Sequence, residues 1–174
     1  MSPAYGTVID TSDGPFGLVV DHGAVVAAGW TADQARLAGL IPPEQRPEHI
    51  EWIGEADAAF VGGVLAWAVG AVHRYYRGYH AAPGEVPVRQ AGTPFLMQAW
   101  AAMRGIEAGN VATYGELAAM AGHPTAARAA GRACSHNAVA LFVPCHRVIP
   151  SDGGVGEFGY GRALKKALLV RERA

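Results

Sequence analysis

Apolar and polar positions alternate in short runs at the start of the chain and later repeat at helical spacing. Residues 6–10, 18–21 and 24–30 read as strands, separated by the turn residues Ser12-Asp13-Gly14-Pro15 and His22-Gly23. Pro42, Pro43 and Pro47 make 41–49 a loop. A single helix is expected from about 55 to 77, weakest at Gly62, Gly63 and Gly70. Its centre, 58–72, is the longest apolar stretch at 15 residues. That is short of the roughly 18 to 20 a bilayer requires, so it reads as a buried helix. Residues 80–92, with Pro83, Gly84 and Pro87, read as a linker enclosing one short strand.

The second half is helical. Thr93-Pro94 supplies an N-cap and a first-turn proline ahead of the stripe Phe95, Ala99, Met103 and Ile106, which Gly109-Asn110 ends. Thr113 and Glu116 have capping-box spacing before Leu117, Ala118 and Ala121. Gly122-His123-Pro124 is a turn, and a further helix is expected over 125–135. Helix, tight turn and helix make the helix-turn-helix pattern. The run Ala126-Ala127-Arg128-Ala129-Ala130-Gly131-Arg132-Ala133 suits close packing in a core or close approach to a surface by Arg128 and Arg132. A last helix over 162–173 aligns Leu164, Leu168 and Glu172 on one stripe. Glu172 then either frays into water or is buried beside a partner, with His146 the candidate. The fold class expected is α/β in two parts. Residues 1–90 form a small antiparallel sheet with a helix, and 91–174 form a mostly helical part.

Composition adds little until charge is located. Apolar residues are 51% of the chain, enough for a core, and 17% are charged, too few for a disordered tail. No basic and then apolar leader opens the chain, so a cytoplasmic protein with no membrane partner is expected. The two cysteines, Cys134 and Cys145, are expected as thiols and cannot frame a zinc finger, so neither metal nor cofactor is expected. Net charge is −1, yet 1–90 holds five arginines against ten acids, and 91–174 holds nine bases against five acids. A basic second half suits a phosphate partner.

The sharpest chemistry is Val143-Pro144-Cys145-His146-Arg147-Val148-Ile149-Pro150. A cysteine in an apolar run is ordinarily an inert core residue. An adjacent histidine and arginine favour thiolate instead. Neighbouring side chains diverge, so a water relaying the proton from Cys145 to His146 is expected rather than a direct bond.

Within that segment, Pro144-Cys145-His146-Arg147-Val148 closely resembles the active-site motif of the O⁶-alkylguanine-DNA alkyltransferases. The likeness extends through Thr113-Tyr114-Gly115-Glu116-Leu117-Ala118, Ala126-Ala127-Arg128-Ala129, Gly131, Asn137 and the loop 153–161, in the family's order and spacing. It covers about 92–172. It implies that Cys145 takes the alkyl group irreversibly, with His146 as water-mediated base and Glu172 as orienting acid. Tyr114 would displace the 3′ phosphate and donate a proton toward the purine, and Asn137 would brace the turn before the cysteine. Arg128 would fill the gap left by a flipped nucleotide, on a DNA-facing surface with Thr113, Tyr114, Ala127, Ala129, Arg132, Cys134 and Ser135. Val148 and the loop Val155, Gly156, Glu157, Phe158 and Gly159 would hold the guanine.

The implied partner is double-stranded DNA carrying O⁶-alkylguanine, with O⁴-alkylthymine and cooperative binding along DNA left open. No obligate protein partner is implied. The chain departs from the family pattern at Gly159, where a serine is common, at Ala138, where proline is common, and at Leu96, where glutamine is usual. A cysteine hydrolase and a non-catalytic damage-binding module are the competing readings. The first lacks any mark of an oxyanion hole, and the second would not need Cys145.

Overall fold

The computed structural model describes residues 3–173, in two compact units that divide between Gln90 and Ala91. In the first, β1 (Ala4–Thr11), β2 (Gly14–Asp21) and β3 (Ala24–Gly29) form antiparallel neighbours, joined by tight turns at 12–13 and 22–23. All three were expected, though β1 and β2 begin earlier than the apolar alternation indicated. A fourth strand, β4 (Ile50–Trp52), was not expected. It pairs parallel with β1, Ala4 opposite Ile50, so the sheet is mixed, in the order β3-β2-β1-β4.

Every residue of β3 is buried, so both faces of the sheet are covered there. On one face α1 (Gln34–Leu40), capped by Asp33 accepting from the Arg36 amide, packs Leu37 and the following Ile41 onto Val19, Val26 and Ala27. Gly6 is required where β1 meets β4, since a Cβ there would lie 2.5 Å from the Trp52 ring.

The long helix expected over 55–77 is two helices, α2 (Glu55–Val61) and α3 (Gly63–Tyr76). The break is at Gly62, whose φ of 72° leaves the helical region; Gly70 is absorbed without interruption. Nor is the 58–72 stretch uniformly buried: Phe60 is 94% exposed and Trp67 44%, so only one face, with Leu65, Ala68 and Val72, is core. No helix among the described residues is long and apolar enough to cross a membrane. The 80–92 segment holds a short 3₁₀ turn at Ala82–Glu85 and bridges to β3 through Val88 and Val25.

In the second unit α4 (Pro94–Arg104) starts as expected, with Thr93 Oγ1 accepting from the Leu96 amide, but stops at Gly105, before Gly109-Asn110. The two-residue β5 (Ala112–Thr113) leads directly into α5 (Tyr114–Met120). Both halves of the capping box are present there. Thr113 Oγ1 accepts from the Glu116 amide at 3.1 Å, and Glu116 accepts from the Thr113 amide at 3.4 Å.

A turn closed by the Ala126 amide on the His123 carbonyl delays α6 to Ala127–Ser135. The short helix packs on α5 and α4, where the Trp100 indole donates to the Ala133 carbonyl at 2.9 Å. A 3₁₀ turn at Cys145–Arg147 runs into β6 (Val148–Ile149), parallel to β5, and α7 (Arg162–Arg173) closes the unit.

Candidate active site

The β5–β6 pairing sets Ala112 opposite Val148 and Thr113 opposite Ile149, which brings the start of α5 beside the cysteine segment. Tyr114 is the first residue of α5 and is half-buried. Burial raises its hydroxyl above the ordinary tyrosine range, with Cys134, Cys145 and Glu157 adding to the effect, so it stays protonated. Gly156, at φ 79°, lets the 155–159 loop approach. A Cβ there would lie 2.8 Å from the Pro150 ring and 3.4 Å from the Tyr114 hydroxyl.

Residues 138–148 are buried without interruption. Asn137 braces their entry: its Nδ2 donates to the Val143 carbonyl at 2.8 Å, and its Oδ1 accepts from the Val139 amide at 3.2 Å. Ala138, where proline was noted as common, is itself buried within this brace. Leu141 turns the chain with φ 73° while its side chain stays buried.

Cys145 follows, and burial pushes its thiol up. The Asn137 side chain, the Lys165 ammonium and the backbone N–H groups of Cys145 and His146 pull it down, without prevailing. The resting sulfur is thus a thiol that needs a base. Burial outweighs the charges, and Arg147 is engaged elsewhere.

His146 and Glu172 are brought together: Nε2 lies 2.6 Å from Oε1, and both side chains are fully buried. Nδ1 is buried with no hydrogen-bond partner among the described residues. Burial holds the imidazole below its ordinary range despite Glu172, so it is neutral near pH 7. Burial would raise the Glu172 carboxyl, but hydrogen bonds from His146 and Arg147 bring it down to about 2. The alternative of a frayed terminal glutamate is thereby excluded.

Two residues of this site make contacts that the sequence did not indicate. Arg147 binds both oxygens of Glu172. Lys165 is 1% exposed, donates to the Val148 carbonyl at 2.6 Å, and acts electrostatically on both cysteines. Its signal was available, since Lys165, Leu168 and Glu172 fall at i, i+3 and i+7, one buried stripe.

On α6, Arg128 and Arg132 are exposed, with no side-chain hydrogen bond or ion pair among the described residues, and Ala127 and Ser135 are exposed with them. Ala129 is half-buried. Cys134 is also half-buried, and its thiol is raised by burial and by Cys145. It therefore stands closer to the interior than a residue of an open DNA-facing surface. In the loop, Val155 and Phe158 are half-buried, Gly159 is exposed, and Glu157 pairs with Arg162 in water.

The family model for the DNA-binding domain of 6-O-methylguanine DNA methyltransferase matches residues 94–174. The methylated-DNA–protein-cysteine methyltransferase of Salmonella typhimurium is 33% identical over 165 residues, 94% of this chain and 92% of the relative. That of Mycobacterium bovis is 34% identical over 168 residues, 95% and 90% of the two chains. Mycobacterium tuberculosis O⁶-methylguanine methyltransferase matches in structure with TM-score 0.74 and 29% identity, over 98% of this chain and 93% of the other. The complex of the Mycobacterium tuberculosis protein OGT with DNA gives 0.73 and 29%, over 97% and 92%.

Sequence and fold are therefore shared, over nearly the whole chain, with proteins of one kind. The chain belongs to the methylated-DNA–protein-cysteine methyltransferase family.

Proposed function

We propose that this protein repairs DNA by moving the alkyl group of O⁶-alkylguanine onto Cys145, once per molecule. The observation that carries the reading is the buried Nδ1 of a neutral His146, without a partner among the described residues, whose Nε2 is held by Glu172, on the residue next to a protonated thiol. A base oriented by a carboxylate on its far side is the arrangement that activates a weak nucleophile. The Cys145 proton passes to Nδ1, through one water where the two side chains diverge. The sulfur lone pair forms the S–C bond as the C–O⁶ bond breaks, and the departing guanine takes a proton from Tyr114, which burial keeps protonated. The thioether has no hydrolytic route at this site, so the molecule is spent.

O⁶ lies inside the duplex, so the base must leave the stack, at a cost on the order of a few kcal/mol. Arg128 fills the vacated position in this reading, which its exposure near the start of α6 supports. Small neighbours such as Ala127 let that helix, the second of a helix-turn-helix pair, approach a groove closely. Thr113, Arg132 and Ser135 contribute backbone contacts, which makes binding weakly sequence-dependent and salt-sensitive. Val148 and the 155–159 loop enclose the extruded guanine beside Tyr114. With Gly159 in the loop, only backbone can approach O⁶ from that position.

The test is intact mass after mixing with excess duplex bearing one O⁶-methylguanine, followed by peptide mapping. One methyl per molecule, on Cys145, is expected. Repaired DNA with unchanged protein mass would mean a turnover enzyme, and intact methylguanine bound without transfer would mean a binding module; either overturns the reading.

A further inference from the structure

Arg147 follows His146 in the chain, yet its guanidinium does not serve the sulfur. Nε donates to Glu172 Oε2 at 2.9 Å, Nη2 donates to Oε1 at 3.0 Å, and Nη1 donates to the Ile106 carbonyl at 2.7 Å. Arg147 is 7% exposed and Glu172 6%. Oε1 is therefore shared, taking His146 Nε2 and Arg147 Nη2 at once. The third donor ties the fork to the backbone just beyond α4. A Cβ on Gly109 would lie 3.3 Å from the Glu172 carbonyl, so the same loop also closes on the end of α7.

We propose that Arg147 is a positioning residue for alkyl transfer. By holding Glu172 ionised at both oxygens it fixes His146 as the Nε2–H tautomer and limits the basicity of Nδ1. The inference rests on Cys145 as acceptor and His146 as its base.

A carboxylate already accepting two guanidinium hydrogens is a poor proton acceptor, so Nε2 keeps its hydrogen. The proton leaving Cys145 then has one destination, Nδ1, and remains there while the S–C bond forms and the C–O⁶ bond breaks. The groups acting on His146 are Glu172, which favours its protonated form, and Arg147 and Lys165, which oppose it. His146 and Arg147 both act on Glu172, holding its carboxyl down. Remove the guanidinium charge and His146 faces a carboxylate less offset by cations. The imidazole then holds a proton at higher pH and cannot accept another from Cys145. Lysine would keep the charge but cannot reach three acceptors in one plane.

The experiment is the single-turnover rate on duplex O⁶-methylguanine from pH 5 to 9, for the wild type, Arg147→Lys and Arg147→Met. Rates are normalised to the amplitude, which counts active molecules. The acid limb for Arg147→Met is expected to move up by roughly one pH unit, with the plateau rate down about tenfold or more. For Arg147→Lys the limb stays near wild type while the plateau falls. Rates per active molecule that match wild type at every pH, with only the amplitude reduced, would overturn the proposal. So would an acid limb displaced equally in both variants.

Imidazole ¹⁵N resonances of the wild type give a reading independent of how the variants fold. Nε2–H with unprotonated Nδ1 at pH 7 is expected, and a proton on Nδ1 of the resting protein refutes the tautomer claim. If wild-type Cys145 gains no methyl, it is the functional reading that fails, and peptide mapping separates that result from the others.

Discussion

In the N-terminal unit the deepest side chains are aliphatic or aromatic: Phe16, Leu18, Leu37, Leu65 and Tyr75 are closed off from water, with Thr7 and Asp21 the buried polar residues among those described. The C-terminal unit closes instead over His146, Arg147, Lys165 and Glu172. Transfer of apolar surface stabilises the first and asks only for shape. Buried ions contribute little net stability, because desolvation offsets their attraction, and they make stability and reactivity depend on pH. One unit is held by apolar packing, and the other closes over a buried charged network.

The sharpest separation comes from Cys145→Ser, which should abolish transfer while leaving melting and duplex binding near wild type. Any methyl found elsewhere on the chain by mass mapping would remove Cys145 as acceptor. Glu172→Gln leaves Arg147 buried without its counter-ion. A loss of about 3–5 kcal/mol is expected in denaturant titration. Transfer should slow by about a hundredfold or more.

Leu18→Ala should lose a comparable 2–5 kcal/mol by opening a cavity in the sheet. The rate per folded molecule and its pH profile should not change. A shifted profile would show that the scaffold and the proton path are not separable. Acid should act on the ionic unit first. His146 is held below its ordinary 6.5 and Glu172 below 4.5 at about 2, so both contribute stability above those ordinary values. That contribution is lost as pH falls, beginning near 6.5 and continuing toward 2. Near-neutral to acid unfolding followed separately by Trp100 and Trp30 would reveal whether one unit goes first. Smallest in stability is Arg128→Ala, expected within about 0.5 kcal/mol of wild type. It should weaken repair of duplex while sparing reaction with the free base, and equal loss on both would end its role as a space-filler.

Much of the catalytic unit could be read from local signals. Thr93-Pro94 and the Thr113–Glu116 box act within a few residues and stand where the sequence indicated, as do Leu168 and Glu172 on the buried face of α7, where Lys165 rather than the half-buried Leu164 completes the stripe. What escaped depends on distance. β4 is three residues long and exists by pairing with β1, more than forty positions earlier, so no local period announces it. α1 spans 7 residues, too short for periodicity to separate it from a loop. Gly62 and Gly63 were visible as weak points, but not that they would end one helix and begin another. At the site, the Cys145-His146-Arg147 sequence suggested that the arginine charge serves the thiol. Only the packing of α7 against the 3₁₀ turn shows that it is taken by Glu172.

Leu141 carries a consequence for local opening. A non-glycine residue at φ 73° is held against its own backbone preference, and here burial of the leucine side chain opposes that cost. The turn ahead of Cys145 is therefore latched by a side chain. When the leucine leaves its site, the hydrogen bonds from the Val143 N–H to the Val139 carbonyl and from the Cys145 N–H to the Val143 carbonyl lose their common support. Hydrogen exchange at those two amides should proceed through one shared opening, so the thiol is uncovered all at once or not at all.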